Sequence, residues 1–528
     1  MLNTTSNSKR LAALEQQVLS LTAQRDQYKK LYLEMLELCR KLERGILGQK
    51  REKLPPAEEQ LTMSLLALLL GEQPPAPPPV EQVQAQVRAK PTGRKPLPEH
   101  LPRVDIEVIP PEVQEKGLES FERIGEDVTE TVERRPASLV VVRTHKPKFV
   151  PKDRDRNAET KVLQSPSPEL PILRGLAGPG LLADTVVKRW QDHLPLYRLE
   201  RIFGREGVEL ARSTLCGWHE ELARLVQPLV QAMWVDALNS PYLCIDATGV
   251  LVQALEKCRS AHFFVVAAPE LHVLFGYAPK HDSAAVDELL RDYRGYLVAD
   301  AHTVYDHLYK KGAVTEVGCW AHTRRYFFKS LSTDPGRARA ALAYIKALFQ
   351  LERAQATSPP ELRLTMRQRE AKPIVEAFFA WCDTQAPLAL DETPLAKALG
   401  YARNQRVALS RFLEDGRLPL HNNFSERQLR REALGRKNWL FLGSDEGGET
   451  NATFVTFLAS CQLHEIEPLG YLRDLFCLLP SWPSRRVLEL APAYWRTTLS
   501  NEETQQLLEA NIFRQASLGR PLPPQITL

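Results

Sequence analysis

No two of the eight cysteines stand close enough to form a Cys-x-x-Cys pair; they lie at 39, 216, 244, 258, 319, 382, 461 and 477. That spacing argues against a zinc knuckle or a disulfide framework, and scattered free thiols suit a reducing cytoplasm. Long apolar runs are also missing. The longest, Leu61 to Leu70, is too short to span a bilayer, and the N-terminus lacks the charged-then-apolar pattern of a signal peptide. A soluble cytoplasmic protein without a membrane partner is expected. Nor is there a strong charge of one sign. Sixty-nine Lys and Arg against 65 Asp and Glu leave a formal charge of only +4, so net charge alone identifies no nucleic-acid binder.

At 528 residues the chain calls for several domains. Residues 8–53 read as one helix. Positions 11, 14, 18, 21, 25, 28, 32, 35, 39 and 42 alternate spacings of three and four, as in a coiled coil, with Arg25 as a polar interruption. The spacing fits self-association into a homo-oligomer or packing against the chain itself. Residues 54–103 are a helical segment and a Pro-rich linker that turns basic from Lys90 to Arg103. Residues 104–165 suggest a small β-containing module. Residues 166–240 read as helices. There, Leu199 to Phe203, a turn with Gly204, and a second helix from Ala211 with Arg212 near its start fit either a helix-turn-helix or a plain helical hairpin.

From 241 the pattern becomes α/β. Strands are expected at 241–253, 261–268, 271–278, 295–300 and 314–320, with helices at 282–293 and 303–311, which makes a mixed sheet with helices on its faces. Residues 323–415 read as nearly all helix, broken at Asp334-Pro335-Gly336, Ser358-Pro359-Pro360 and Asp391 to Pro394. Residues 461–528 form a further helical region.

Two strand segments nearly repeat each other: Tyr242-Leu243-Cys244-Ile245-Asp246 and Tyr296-Leu297-Val298-Ala299-Asp300. An apolar run that ends in an aspartate puts a carboxylate at the rim of a sheet, where open α/β sheets bind ligands. Two such carboxylates side by side repel unless a cation sits between them, which points to a divalent metal and phosphoryl-transfer chemistry. Each aspartate alone also fits a turn or a helix cap. Glu426 is the best third acid. Asn422, Glu426 and Arg430 share one helix face, although Asn423-x-x-Glu426 also fits a capping box. The basic run Arg427, Arg430, Arg431, Arg436 and Lys437 could hold phosphates or form a solvated face. His322, with Arg324 and Arg325 beside it, could assist proton transfer, touch a phosphate or be structural.

With Cys319-Trp320-Ala321-His322 and Arg324-Arg325, Asn422-Asn423-x-x-Glu426-Arg427, and Gly435-Arg436-Lys437-Asn438-Trp439-Leu440-Phe441 running on to Gly443-Ser444, the chain resembles the DDE transposases of the insertion-sequence-sixty-six family, the TnpC type. The resemblance runs from about residue 40 to 496. It implies a ribonuclease-H-like catalytic core (241–322 and 416–460) interrupted by the helical insertion 323–415. It also implies that Asp246, Asp300 and Glu426 are metal-binding catalytic carboxylates, assisted by His322 and Asn423. Two Mg²⁺ or Mn²⁺ ions, and no zinc, are then expected. The partners expected are double-stranded DNA, as terminal inverted repeats and target, and companion proteins of the element, with association at the nucleoid. Arg212, Arg324, Arg325, Arg427, Arg430, Arg431, Arg436 and Lys437 would contact DNA.

The chain departs from the family pattern at Ala247, where Glu is usual, at Ala301-His302, where Gly-Tyr is usual, and at His421, where Asp is usual. The module at 104–165 has none of the family's zinc-binding cysteines. A diverged, catalytically silent DNA-binding protein is the alternative.

Overall fold

The computed structural model describes residues 16–33, 35, 97, 99, 101–135, 138–151, 162–173 and 175–519. Much of the coiled-coil stretch 8–53, nearly all of the linker 54–103 and residues 152–161 of the β-containing module lie outside them. The chain is a mixed α/β protein that divides into two compact units. One comprises 1–95, 323–350 and 373–404; the other comprises 96–322, 351–372 and 405–528.

The second unit contains two sheets. The smaller consists of β1 (Arg103–Glu107), β2 (Phe121–Arg135), β3 (Ser138–Pro151) and β4 (Leu163–Gln164). Its order is β1-β3-β2, and β4 also pairs with β3. Glu133 of β2 is fully buried and accepts a 2.7 Å bond from the Leu181 amide at the start of helix α1 (Pro179–Val186). A carboxylate is favoured there because the first turn of a helix has unsatisfied N–H groups. Helix α2 (Leu196–Arg205) and the long α3 (Arg212–Leu238) follow. Leu215, Trp218, Leu222, Val226, Leu229 and Met233 lie on the face of α3 turned into the core, at the three- and four-residue spacing of one helix side.

The larger sheet consists of β5 (Tyr242–Val252), β6 (Arg259–Ala268), β7 (His272–Ala278), β8 (Gly295–Val298) and β9 (Val314–Val317), in the order β7-β6-β5-β8-β9. β5, β6 and β7 are antiparallel neighbours; β8 and β9 join in parallel. Parallel neighbours need crossovers, and helix α4 (Ser283–Leu290) lies within the first of them. The five strands fall where the hydrophobic pattern puts them. Asp246 does not end β5, which runs on to Val252 within the expected strand 241–253. Thr248, Gly249, Val250 and Leu251 continue to pair with β6, so Asp246 lies mid-strand. The β5–β8 ladder, however, stops at Cys244 and Val298, which leaves Asp246 beyond its end.

Helix α5 (Trp320–Ser330) leaves this sheet, and the chain returns to it with α6 (Asn423–Trp439) and α7 (Asp445–Leu463). Edge strand β7 is covered by α7, because its Val273 and Phe275 amides donate to Ser460 Oγ and Thr456 Oγ1 at 3.1 and 2.8 Å. An edge with satisfied amides does not recruit another strand. A Cβ on Gly448 would come within 2.5 Å of the Tyr277 ring, so α7 needs glycine there to lie this close.

In the first unit, Phe327, Tyr344, Phe378 and Trp381 form an aromatic cluster with ring centroids 5.9–6.4 Å apart. Residues 16–33 are helical there. Val18, Leu21, Tyr28, Tyr32 and Met35 of the apolar stripe are exposed, while Lys30 pairs with Glu392 at 2.7 Å. Among the described residues no helix is long and apolar enough to cross a membrane. Helices open at Pro335, Pro360 and Pro394, where the sequence breaks are. Proline suits the first helical turn, whose N–H groups are unpaired anyway.

Arg367 of the second unit is 3% exposed. It pairs with Glu352 through two 2.7 Å bonds and donates to the carbonyls of Phe412, Asp415 and Leu418. Removing one partner of a buried ion pair strands the other. Arg367→Met is expected to lower stability by about 3–5 kcal/mol in denaturant unfolding, whereas Arg417→Met, at an exposed Asp415 pair, is expected to change it by less than about 1 kcal/mol.

Candidate functional site

β5 and β8 run parallel with Tyr242 opposite Tyr296 and Cys244 opposite Val298. Asp246 lies two residues beyond Cys244 and Asp300 two beyond Val298, both past the end of the β5–β8 ladder. Adjacent strands are about 4.8 Å apart. Asp246 Oδ1 accepts from the Ala247 amide at 2.8 Å, and Asp300 Oδ1 from the His302 amide at 3.3 Å. Tyr305 is buried beside both. Burial, with Asp300 and Asp246 adding to it, holds its phenol well above the usual range.

Asn422 draws the third acid in. Its side-chain Nδ2 donates 2.7 Å to the carbonyl of Ile245, the residue before Asp246, and its own amide donates to Cys319 Sγ at 3.2 Å. Asn422 is fully buried. It precedes α6 at the N-cap position but makes no side-chain cap bond. The capping box expected of Asn423 and Glu426 is therefore not what organises this turn; Asn422 stands at the N-cap and its side chain is turned to donate to β5 instead. One turn on, Glu426 Oε1 lies 3.6 Å from His322 Nε2 on α5, with both side chains partly exposed. Burial raises the Cys319 thiol pKa, and Glu426 contributes to the same shift.

The departures from the family pattern are accommodated locally. His302 Nδ1 accepts from the Val304 amide, and its ring lies 4.5 Å from that of His281, which in turn lies 5.0 Å from His262. Burial pushes the His421 pKa down, against a rise from Glu352 and Glu426.

The basic run on α6 divides into bonded and exposed cations. Arg431 donates to Gln191 at 2.6 Å and to Gln462, and Arg436 donates to Thr248 Oγ1 at 3.1 Å and to the Gly249 carbonyl. These two cations tie α6 to its surroundings. Arg427, Arg430 and Lys437 are exposed. Arg212 at the start of α3 is exposed and pairs with Glu200 at 3.2 Å. Arg324 and Arg325 follow His322 on α5, where the Arg324 guanidinium lies 5.8 Å from the Phe328 ring centre. Asn423 is partly buried, its amide donating to His421 Nδ1 at 3.4 Å.

Sequence reasoning named the three acids but not the tether at Asn422 or the buried Tyr305. The paired asparagines were a visible signal, but nothing in the sequence says that one of them bonds a strand 177 residues earlier.

Among the described residues, no three His, Cys, Asp or Glu side chains converge closely enough to hold a metal ion. The donor chemistry of the three acids does fit a hard divalent cation: all are carboxylates, two come from matched strand positions, and the third sits on a helix fastened beside the first.

A profile described as "Transposase IS66 family" matches residues 174–450, more than half of the chain. The chain belongs to the IS66 transposase family. A second profile, "Transposase C of IS166 homeodomain", matches residues 34–106. Relatives in Sinorhizobium fredii (strain NBRC 101917 / NGR234) are similar along most of their length. "Uncharacterized protein y4qI" is 29% identical over 519 residues, covering 92% of this chain and 93% of the relative. "Uncharacterized protein y4hP" is 28% identical over 490 residues, covering 86% and 87%. The family assignment supports a transposase role and, with it, action on DNA.

One group of this transposase makes stability depend on pH. Glu432 is 3% exposed on α6 and accepts from Asn451 at 2.8 Å. Burial pushes its carboxyl from 4.5 up to about 7, despite the opposing pull of Asn451 and of Arg189, whose own value burial lowers to about 10. A raised carboxyl favours the fold when protonated. That contribution is complete below about pH 4.5 and is lost as pH rises through about 7. Glu432→Gln keeps the acceptor for Asn451 and is expected to remove a loss on the order of 3 kcal/mol between pH 5 and 8, measured by denaturant unfolding across that range.

Proposed function

We propose that this chain is a metal-dependent DNA transposase whose five-stranded sheet is ribonuclease-H-like and whose Asp246, Asp300 and Glu426 hold divalent ions. One observation carries the reading: two aspartates each lie two residues past the last pair of the parallel β5–β8 ladder, and the helix bearing the third acid is fastened to the residue before the first of them. Two Mg²⁺ or Mn²⁺ ions bound there would activate the attacking oxygen and stabilise the leaving one. Glu426 would serve as a ligand in place of its pairing with His322.

The remaining tasks of the reaction fall to the chain's own side chains. A water oxygen attacks the phosphodiester at the element end, the P–O3′ bond breaks, and a 3′-hydroxyl is freed. That hydroxyl then attacks a phosphorus of target DNA, expelling a second 3′-oxygen. His322 beside Glu426 would take the proton lost by the attacking oxygen in each step, and the expelled 3′-oxygen would take up a proton in turn, from His322 or from water. Arg427, Arg430 and Lys437 would position phosphates without reading sequence; Arg212, Arg324 and Arg325 would add contacts elsewhere along the DNA. Arg431 and Arg436, already bonded within the protein, would act by orienting α6. The exposed stripe on the N-terminal helix supports assembly into a homo-oligomer.

The silent DNA-binding alternative rests on Ala247, His302 and His421, and a single assay separates the two. Duplex DNA carrying the element's terminal repeat is expected to be nicked in Mg²⁺ or Mn²⁺. Alanine at Asp246, Asp300 or Glu426 is expected to abolish nicking while leaving retention of the duplex within about twofold. Cutting by Glu426→Ala at the wild-type rate contradicts the assignment, and retention by the wild type without cutting in either ion supports the silent reading.

A further inference from the structure

The loop that ends α6 has a geometry the catalytic reading does not use. Leu440 stands at φ 64°, ψ −52°, and the Phe441 amide donates 2.8 Å to the Trp439 carbonyl across it. This is a γ-turn of the rare, strained sense, which a leucine adopts only when its surroundings impose it. The surroundings do impose it. The Leu440 amide bonds back to the Arg436 carbonyl, and Leu442 pairs with β5 on both sides, through its own amide to Leu251 and from Gln253 to its carbonyl, each at 2.8 Å. The turn is thus clamped between a helix end and a strand. Clamping does not bury its apolar side chains: Leu440 is 65% and Phe441 42% exposed.

Their neighbours are cationic. Arg427, Arg430 and Lys437 form an exposed row on α6 that begins beside Glu426 and ends at this turn, with Leu434 exposed in the same row. A row of cations ending in a rigid pair of protruding apolar side chains suits a duplex rather than a protein: the cations meet phosphates, and the apolar tip meets stacked bases. Glu426 and Leu440 are fourteen residues apart. At 1.5 Å per residue that is about 21 Å, or about six base-pair steps at 3.4 Å each.

We infer that Leu440 and Phe441 form a wedge that enters the base stack of bound duplex DNA about six base pairs from the phosphate met by the first cation of the row, Arg427 beside Glu426, unstacking one step and kinking the helix there. The inference rests on the reading of this chain as a DNA-acting transposase. The held turn is what makes the wedge effective, since a flexible apolar tip would fold back onto the protein surface rather than push between stacked bases.

The probe is a duplex carrying the inverted repeat beside this coding segment, with 2-aminopurine substituted at one position at a time, and no divalent ion present so that no strand is cut. Anisotropy measures binding and 2-aminopurine fluorescence measures unstacking in the same samples. Wild-type protein at saturation is expected to raise fluorescence several-fold at one or two adjacent positions only. Leu440→Gly and Phe441→Ser are expected to abolish that rise while binding weakens no more than about tenfold. Glycine accepts the positive φ, so Leu440→Gly should unfold at an equal or higher temperature, and its result cannot be ascribed to misfolding. Lys437→Ala is expected to weaken binding yet keep the full rise at saturation.

Equal fluorescence in wild type and Leu440→Gly, or no rise at any position, overturns the wedge. So does a change in the sedimentation of DNA-free protein in the variants, which would make the turn a contact between copies of the chain. Failure of wild-type protein to bind the duplex at all would instead refute the transposase reading on which the wedge depends.

Discussion

One hydrogen bond fixes the relation between the strand and the helix of the candidate site. Asn422 reaches from the start of α6 to the backbone of β5 at Ile245, and the register of everything else near it follows. Cys319, at the exit from β9, accepts the Asn422 amide, while Trp320 donates its backbone amide to Leu420 and its indole N–H to Leu409. The segment before α6, the start of α5 and the central strand are thereby locked at one point. An unpaired buried carbonyl costs about 1–3 kcal/mol, so each group in this knot holds the others in place. Asp246 lies one residue from it along β5 and Glu426 one turn from it along α6.

The helix that carries Glu426 shows how a run of like charge divides when only one side faces solvent. Arg431 and Arg436 turn inward and exchange hydration for bonds to Gln191, Thr248 and the Gly249 carbonyl. Arg427, Arg430 and Lys437 stay outside. Glu432 is enclosed where burial favours its neutral form. Five cations in a sequence thus become two fasteners and three exposed charges. The same asymmetry leaves Leu440 and Phe441 exposed at the far end, because the strand beneath them is occupied by Leu442.

The sequence was most informative where one local rule dominates. Alternating apolar runs located all five strands of the larger sheet, and prolines marked the openings of three helices. It was least informative where long-range pairing overrides a local preference. The apolar run stops at Asp246, which suggests a rim position, yet pairing with β6 carries β5 on to Val252 and leaves Asp246 mid-strand. Asn423 and Glu426 read as a capping box, yet the N-cap position is Asn422, which makes no cap bond and directs its side chain to β5. The strained turn at Leu440 has no sequence signature, since glycine would be expected at a positive φ; only the bonds on either side of it account for a leucine there. For the three acids, spacing and family motifs suggested the residues, but that the first two stand just past the end of one parallel ladder is a property of the β5–β8 pairing alone.

The central claim is that three carboxylates from two strands and one helix act on the same divalent ions. Titration of the DNA-free protein with Mn²⁺, followed by the loss of the free-ion electron paramagnetic resonance signal, tests it without any strand cleavage. The account predicts saturable binding that weakens at least about tenfold in each of Asp246→Asn, Asp300→Asn and Glu426→Gln, because each substitution removes a charged ligand. Mn²⁺ binding that is lost in Asp246→Asn and Asp300→Asn but unchanged in Glu426→Gln would contradict it.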